Sequence, residues 1–424
     1  MKLLVMILLT TSLCFSQERT IREGEPNAID AYDSIEGTVQ YVKKSIDPYV
    51  DIWKAKRQSF LNNPNREPGP IVVQKWEFQH AAMGIPTFFQ QPIALTPEDL
   101  IAGEVDVAIM GAGIDQGTGM RGAVYGPQKA RASAIYVPGS RLSMVPHLGT
   151  GINPFKELNV VDYGDAPLDM FSIERSIQPI ADMVEEIAQT GTIPFIVGGD
   201  HTLMYPDVVG LSRVYGKGKI GVIHFDSHYD AETHMLGHLI SHGQPVARLI
   251  EEGWVSGKNF VQVGLRGYFP SEEEFEKIRH WGLRYHTMAE VEVKGWDYVL
   301  EKALAEAMDG CDYLFISLDI DVLDPVYAPG TGTPEPAGLT TRELFPLLRR
   351  LTAEKNVVGM EIVEFNPIVD PTYLTAQTVN RCMREMLVGI ALKKKGITKK
   401  DYHSEIQTNT GEYSDGWEKS KKNN

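Results

Sequence analysis

The sequence predicts an α/β fold: three layers, with a central, mostly parallel sheet between helices on both faces. Three observations carry this expectation. Six apolar runs, "DVAIMGA", "IPFIVGG", "IGVIHFD", "NFVQVGL", "YLFISLDI" and "VVGMEIVEF", have the length and continuity of strands covered on both sides. Segments of helical periodicity lie between them, among them "IADMVEEIAQ", "YVLEKALAEAM" and "TRELFPLLRRL". Such alternation implies parallel pairing, because a parallel neighbour needs a long crossover and a helix supplies it. Finally, carboxylates and imidazoles gather at the ends of three of the runs, and open α/β sheets build their sites beyond the carboxyl ends of strands.

Along the chain, residues 1–16 have the shape of a secretory signal. Lys2 precedes an apolar run from Leu3 to Phe15 that is too short to span a membrane. Cleavage after Ser16 leaves Gln17 as the mature N-terminus, so the expectation is an exported protein, periplasmic or secreted. Residues 17–95 form an N-terminal extension read as helical. Ile35, Val39, Val42 and Ile46 make an amphipathic seam, Pro48 limits it, and "NNPNREPGP" is a loop. Residues 96–392 form the α/β domain. Residues 393–424 are a Lys-rich polar tail with too little apolar surface to order itself.

Composition narrows the partners. A chain of 424 residues, 43% hydrophobic, can bury a large core. A formal net charge of −15 argues against a nucleic-acid or anionic-membrane partner, while it suits a small cationic substrate. After signal cleavage only Cys311 and Cys382 remain, neither in a zinc or redox motif, and both read as small core residues.

The chemistry gathers at the strand exits. "HFDSHYD" sets Asp226, His228 and Asp230 at alternate positions, which share a face if the backbone stays extended. "GGDH" ends another run at His201, and "SLDIDVLDP" adds Asp319 and Asp321. Two imidazoles and four carboxylates are too many for one tetrahedral zinc. Two divalent cations balance the four negative charges, and so oxygen-rich a donor set favours Mn²⁺.

With these motifs in their order, the sequence resembles the ureohydrolase family (arginase, agmatinase and relatives). The resemblance spans about residues 105–390 and rests on "GGDH", "DSHYD", "SLDIDVLDP", "GTGTPEPAGL" and "EIVEFNP". It implies an arginase-like fold, a homotrimer or homohexamer, and two Mn²⁺ ions per chain, with Ni²⁺ as a substitute. One metal would take His201, Asp226, Asp230 and Asp319, and the other Asp226, His228, Asp319 and Asp321, with Asp226 and Asp319 bridging. It further implies that His242, in "ISHGQPVARL", shuttles a proton, that Glu364, in "EIVEFNP", grips a guanidinium group, and that Asp230 also orients the nucleophile.

The implied activity is hydrolysis of a guanidino compound to urea and an amine. It is expected to be agmatinase-like, with guanidine or a guanidino acid such as guanidinobutyrate as the alternative substrate. Some residues depart from the family pattern. Ser227 stands where the family has alanine. "MGAGIDQGTGMRGAVYGP" replaces the usual agmatinase loop, and together with the N-terminal extension and "GIPTFF" it looks like the branch that contains guanidine hydrolases. His234 and His238 are read as packing or solvent-facing groups rather than ligands.

Overall fold

A computed structural model describes residues 58–76, 83–133, 145–233, 235–236, 238, 240–268 and 270–397. The segment read as a secretory signal, the seam from Ile35 to Ile46, His234 and the tail beyond residue 397 lie outside the described residues.

Eight strands form one sheet: β1 (Val107–Ala112), β2 (Val160–Asp165), β3 (Ile193–Gly198), β4 (Ile220–Phe225), β5 (Phe260–Leu265), β6 (Arg284–Thr287), β7 (Tyr313–Asp319) and β8 (Val357–Val363). Their spatial order is β2-β1-β3-β8-β7-β4-β5-β6, and every neighbouring pair is parallel. The six apolar runs coincide with the six inner strands. The two edges, β2 and β6, carry no such run, because an edge is less fully covered and tolerates polar residues such as those in "RYHT".

Five helices of twelve residues or more cover the sheet among the described residues: α1 (Ile173–Gln189), α2 (Met204–Tyr215), α3 (Trp296–Ala307), α4 (Thr341–Glu354) and α5 (Leu374–Lys394). The strand alternation sorts the core into two layers. Val107, Ile109, Phe195, Val197, Ile223 and Phe225 pack with Leu300, Leu348 and Met383 of α3, α4 and α5. Ala108, Met110, Ile196 and Val222 pack with Ile177, Val184 and Val208 of α1 and α2. This is the three-layer arrangement expected from sequence. Among the described residues no helix is long and apolar enough to cross a membrane, and Cys311 and Cys382 are buried and unbridged.

The described part of the N-terminal extension differs from the helical expectation. Its described residues contain two single 3₁₀ turns, Ser59–Asn62 and Phe88–Gln90, and no α-helix before residue 97. Ile93 bridges both Ile71 and Asp162 of β2, and Phe88 and Phe89 are buried in the core. The body of the domain therefore begins near residue 88, earlier than the change in sequence texture suggests. The reason is that two aromatic side chains, rather than a long periodic run, do the anchoring.

Candidate metal centre

The carboxyl ends of β3, β8, β7 and β4, four adjacent strands at the middle of the sheet, bring their polar side chains into one cluster. β3 delivers Gly199, Asp200 and His201. A side chain at Gly199 would place its Cβ 2.2 Å from the carbonyl oxygen of Ile114, so only glycine lets this strand end lie against the loop that follows β1. Asp200 then caps the turn, accepting from the amide of Thr202 at 3.0 Å and that of Gly117 at 2.7 Å. Burial, together with the nearby charge of Glu364, pushes Asp200 up to about 6.

His201 is fully buried. Its Nδ1 lies 3.0 Å from Asp226, 3.2 Å from Asp230 and 3.1 Å from Asp319, in each case from the Oδ2 atom. This nitrogen has no hydrogen-bond partner of acceptable geometry. An orphaned imidazole nitrogen facing three buried carboxylates is the donor set of a cation site. Its other nitrogen, Nε2, is 2.8 Å from Ser317 Oγ, which fixes the ring from behind. Beside this group, His228 Nδ1 lies 3.0 Å from Asp321 and 3.5 Å from Asp226. All six candidate ligands are thus brought together, and Asp226 faces both imidazoles.

The way they converge differs from the sequence expectation. β4 ends at Phe225, so residues 226–230 are a loop rather than a continued strand. Asp230 has φ of 44°, in the left-handed region, and this turn rather than strand alternation brings its carboxylate back to His201. Glu364, just beyond β8, has φ of 57°. Two non-glycine residues in this costly conformation at one site are strain held where the chemistry is.

The electrostatics show how the cluster copes with its carboxylates. Burial opposes a charged ring at His201, but its contacts with Asp226, Asp230 and Asp319 outweigh that and raise its basicity well above the usual imidazole range. Burial likewise opposes charge at His228, while Asp321 and Asp226 push it up to about 12. Burial would raise Asp226, yet His224 and His201 keep it well below the usual carboxylate range. Asp319 is raised well above that range by burial and by the charges of Asp321 and Asp226.

Ser227, the departure from the family pattern, donates its hydroxyl to Asp321 Oδ1 at 2.7 Å and also lies 3.1 Å from His228 Nδ1. The substitution therefore braces two candidate ligands of the second position. Glu364 Oε1 accepts from the amide of His201 at 2.9 Å and lies 3.2 Å from His242 Nδ1. His238 is exposed, 3.6 Å from Glu174, as expected of a group outside the ligand set. Sequence reasoning missed His224, Gln262 and Ser317. His224 was visible within "HFDSHYD", on β4 two residues before Asp226.

The profile of the arginase family matches residues 105–389, the stretch that contains the whole sheet and every residue of this cluster. A human mitochondrial guanidino acid hydrolase is 33% identical over 340 residues, 80% of this chain and 90% of that protein. A mitochondrial agmatinase from Gallus gallus is 33% identical over 312 residues, 73% of this chain and 87% of that protein. Among solved structures, proclavaminate amidino hydrolase from Streptomyces clavuligerus superposes with a TM-score of 0.65 at 29% identity, over 74% of this chain and 100% of that one. Sheet order, cluster and sequence agree, and this chain belongs to the arginase family.

Proposed function

We propose that this protein hydrolyses a small guanidino compound to urea and an amine at a pair of Mn²⁺ ions. The observation that carries it is the orphaned Nδ1 of His201 facing Asp226, Asp230 and Asp319, with Glu364 and His242 paired beside it. His201, Asp226, Asp230, Asp319, His228 and Asp321 would hold the two divalent cations, which when bound would supply an activated water strong enough for the resonance-stabilised guanidinium carbon. Four carboxylates and two imidazoles without a thiolate suit Mn²⁺, and Ni²⁺ is the substitute to test.

The chain's own residues do the rest. Glu364 Oε1 is occupied by the His201 amide and His242, which leaves Oε2 to hold the guanidinium through charge-assisted hydrogen bonds. Gly332 keeps space beside that oxygen: a Cβ there would lie 3.8 Å from Glu364 Oε2 and 3.0 Å from Met120 Cβ. His242 keeps a proton at neutral pH and hands it to the departing nitrogen.

The substrate's tail is the open variable, and a groove whose lining residue Gly122 packs against Asn366, two residues beyond Glu364, bears on it. Asp115, Gln116, Arg121, Tyr125 and Met170 line this groove. Agmatine would bring a second cation, but the Asp115 carboxylate is already engaged by Arg121 at 3.1 Å and by the Gly122 amide at 2.9 Å. The Arg121 side chain is 60% exposed. Its bonds to Asp115 run through Nη1, and a second reading is a guanidino acid whose carboxylate pairs with the rest of the Arg121 guanidinium fork. A urea-release panel of agmatine, guanidine, arginine, guanidinobutyrate and guanidinopropionate, with wild type and Arg121→Ala, separates these. A KM rise in Arg121→Ala confined to the acids supports the guanidino acid. Urea from agmatine alone supports the agmatinase-like expectation. No urea from any compound with Mn²⁺ or Ni²⁺ removes the proposed function.

A further inference from the structure

His224 and Gln262 are both fully buried and face each other across the β4–β5 pairing. Gln262 Nε2 lies 2.6 Å from the carbonyl oxygen of Tyr229. A carbonyl only accepts, so the amide's NH₂ must point there. The same nitrogen lies 3.1 Å from His224 Nδ1, which therefore accepts. With Nδ1 accepting, the ring proton sits on Nε2, and Nε2 donates to Asp226 Oδ2 at 2.8 Å.

This oxygen also faces His201 Nδ1 at 3.0 Å, while Asp226 Oδ1 accepts the His228 amide at 2.6 Å. The carboxylate is thus clamped with one oxygen toward each candidate metal position. His224 stands edge-on to His201, with centroids 4.7 Å apart, and edge-on to Phe260 at 5.8 Å, so the ring has no room to turn away.

By position alone His224 could pass for a further ligand, since its nitrogen lies within ligand distance of His201, Asp226 and Asp230. The hydrogen-bond directions exclude that. Nδ1 is engaged by Gln262, and Nε2 bears a proton rather than a free lone pair.

We propose that His224, held in one tautomer by Gln262, is a positioning residue that sets the orientation of Asp226 as the bridge between two metals. This rests on the two-metal site proposed above. It implies that a donor at the Nε2 position, not an imidazole as such, is what the site needs.

The test uses the full-length protein loaded with Mn²⁺, and measures metal affinity by calorimetry and metal–metal coupling by electron paramagnetic resonance. His224→Gln keeps an amide N–H where Nε2 stood, whereas His224→Leu does not. The Gln variant is expected to bind within a few-fold of wild type and to show the exchange-coupled spectrum. The Leu variant is expected to bind about 10–100-fold more weakly and to lose the coupling. Thermal denaturation of the metal-stripped variants separates loss of folding from loss of metal.

Wild-type affinity and coupling in His224→Leu would overturn the proposal. So would a folded His224→Gln that loses both, since His224 would then act as a ligand or through its shape. If wild type binds only one Mn²⁺, the two-metal site fails, and the affinity ratio of the two variants still decides whether His224 positions Asp226. Should His224→Leu not fold, Gln262→Met provides the second test. Loss of the tautomer lock there is expected to weaken Mn²⁺ binding without unfolding the chain, and unchanged binding counts against the proposal.

Discussion

His242 Nδ1 lies 3.2 Å from Glu364 Oε1, the oxygen that also accepts the amide of His201 at 2.9 Å. One carboxylate oxygen thereby joins the proton carrier to the strand end that bears a candidate ligand. Burial works against a charged ring at His242, but the hydrogen bond and charge of Glu364, with Asp230 and Asp200 behind them, push it up to about 9. In metal-free protein, nuclear magnetic resonance titration should place His242 near that value, and Glu364→Gln should lower it. Because the folded value is raised, the stability gained from this contact is complete below the unfolded value of about 6.5 and is lost as pH rises through about 9. The contribution should therefore vanish from the pH profile of denaturation in Glu364→Gln. An unchanged titration in that variant would break the pairing.

The two residues should separate in steady-state kinetics. The guanidinium is cationic before attack, so Glu364 holds it in ground and transition states alike, and Glu364→Gln should raise KM. The departing nitrogen needs its proton only later. His242→Asn should lower kcat by about 10²–10⁴-fold with KM little changed. Urea kinetics beside metal analysis check both, and each variant should keep its metals. Wild-type turnover in His242→Asn would remove the proton-carrying role.

Asp226 faces His201 at 3.0 Å and His228 at 3.5 Å, so no other candidate ligand touches both imidazoles. Asp226→Asn should reduce bound Mn²⁺ below two ions per chain and abolish urea release, as measured by elemental analysis. The raised basicity of His201 and His228 predicts that cations displace protons from them on binding. Metal binding should accordingly release protons into a weakly buffered solution, and affinity should fall as pH falls. Binding with no proton release would show that the imidazoles are neutral beforehand.

Much of this was legible in the sequence because the signals are local. Each inner strand is an apolar run, and each candidate ligand follows one directly, so "GGDH", "DSHYD" and "SLDID" announce themselves. The edges were less legible, since β2 and β6 lack that continuity. The turn at Asp230 was hidden as well: alternation in "HFDSHYD" suggests an extended strand, whereas the backbone leaves the sheet after Phe225 and returns the side chain through a left-handed residue. The clamp on Asp226 was hidden for another reason. Gln262 follows His224 by 38 residues, and only strand pairing reveals that they meet.

Asp207 supplies the last prediction. It lies in the first turn of α2, fully buried, and neither of its carboxyl oxygens has a hydrogen-bond partner of acceptable geometry. Its neighbour is Glu361 of β8, also fully buried. Burial, and then the charge of Glu361, raise Asp207 well above the usual carboxylate range, so the folded chain holds a proton here that the unfolded chain releases from about 3.8 upward. The folded state then binds more protons than the unfolded one, and stability must decline as pH rises through that window. Asp207→Asn supplies a permanent N–H donor to Glu361 and needs no proton. It should flatten the decline and stabilise the metal-free chain at neutral pH, by up to about 1.4 kcal/mol for each pH unit above 3.8 over which Asp207 stays protonated. Denaturant unfolding of wild type and Asp207→Asn at pH 5 and pH 8 measures this. A stability difference that is equal at both pH values would show that Asp207 holds no extra proton in the folded chain.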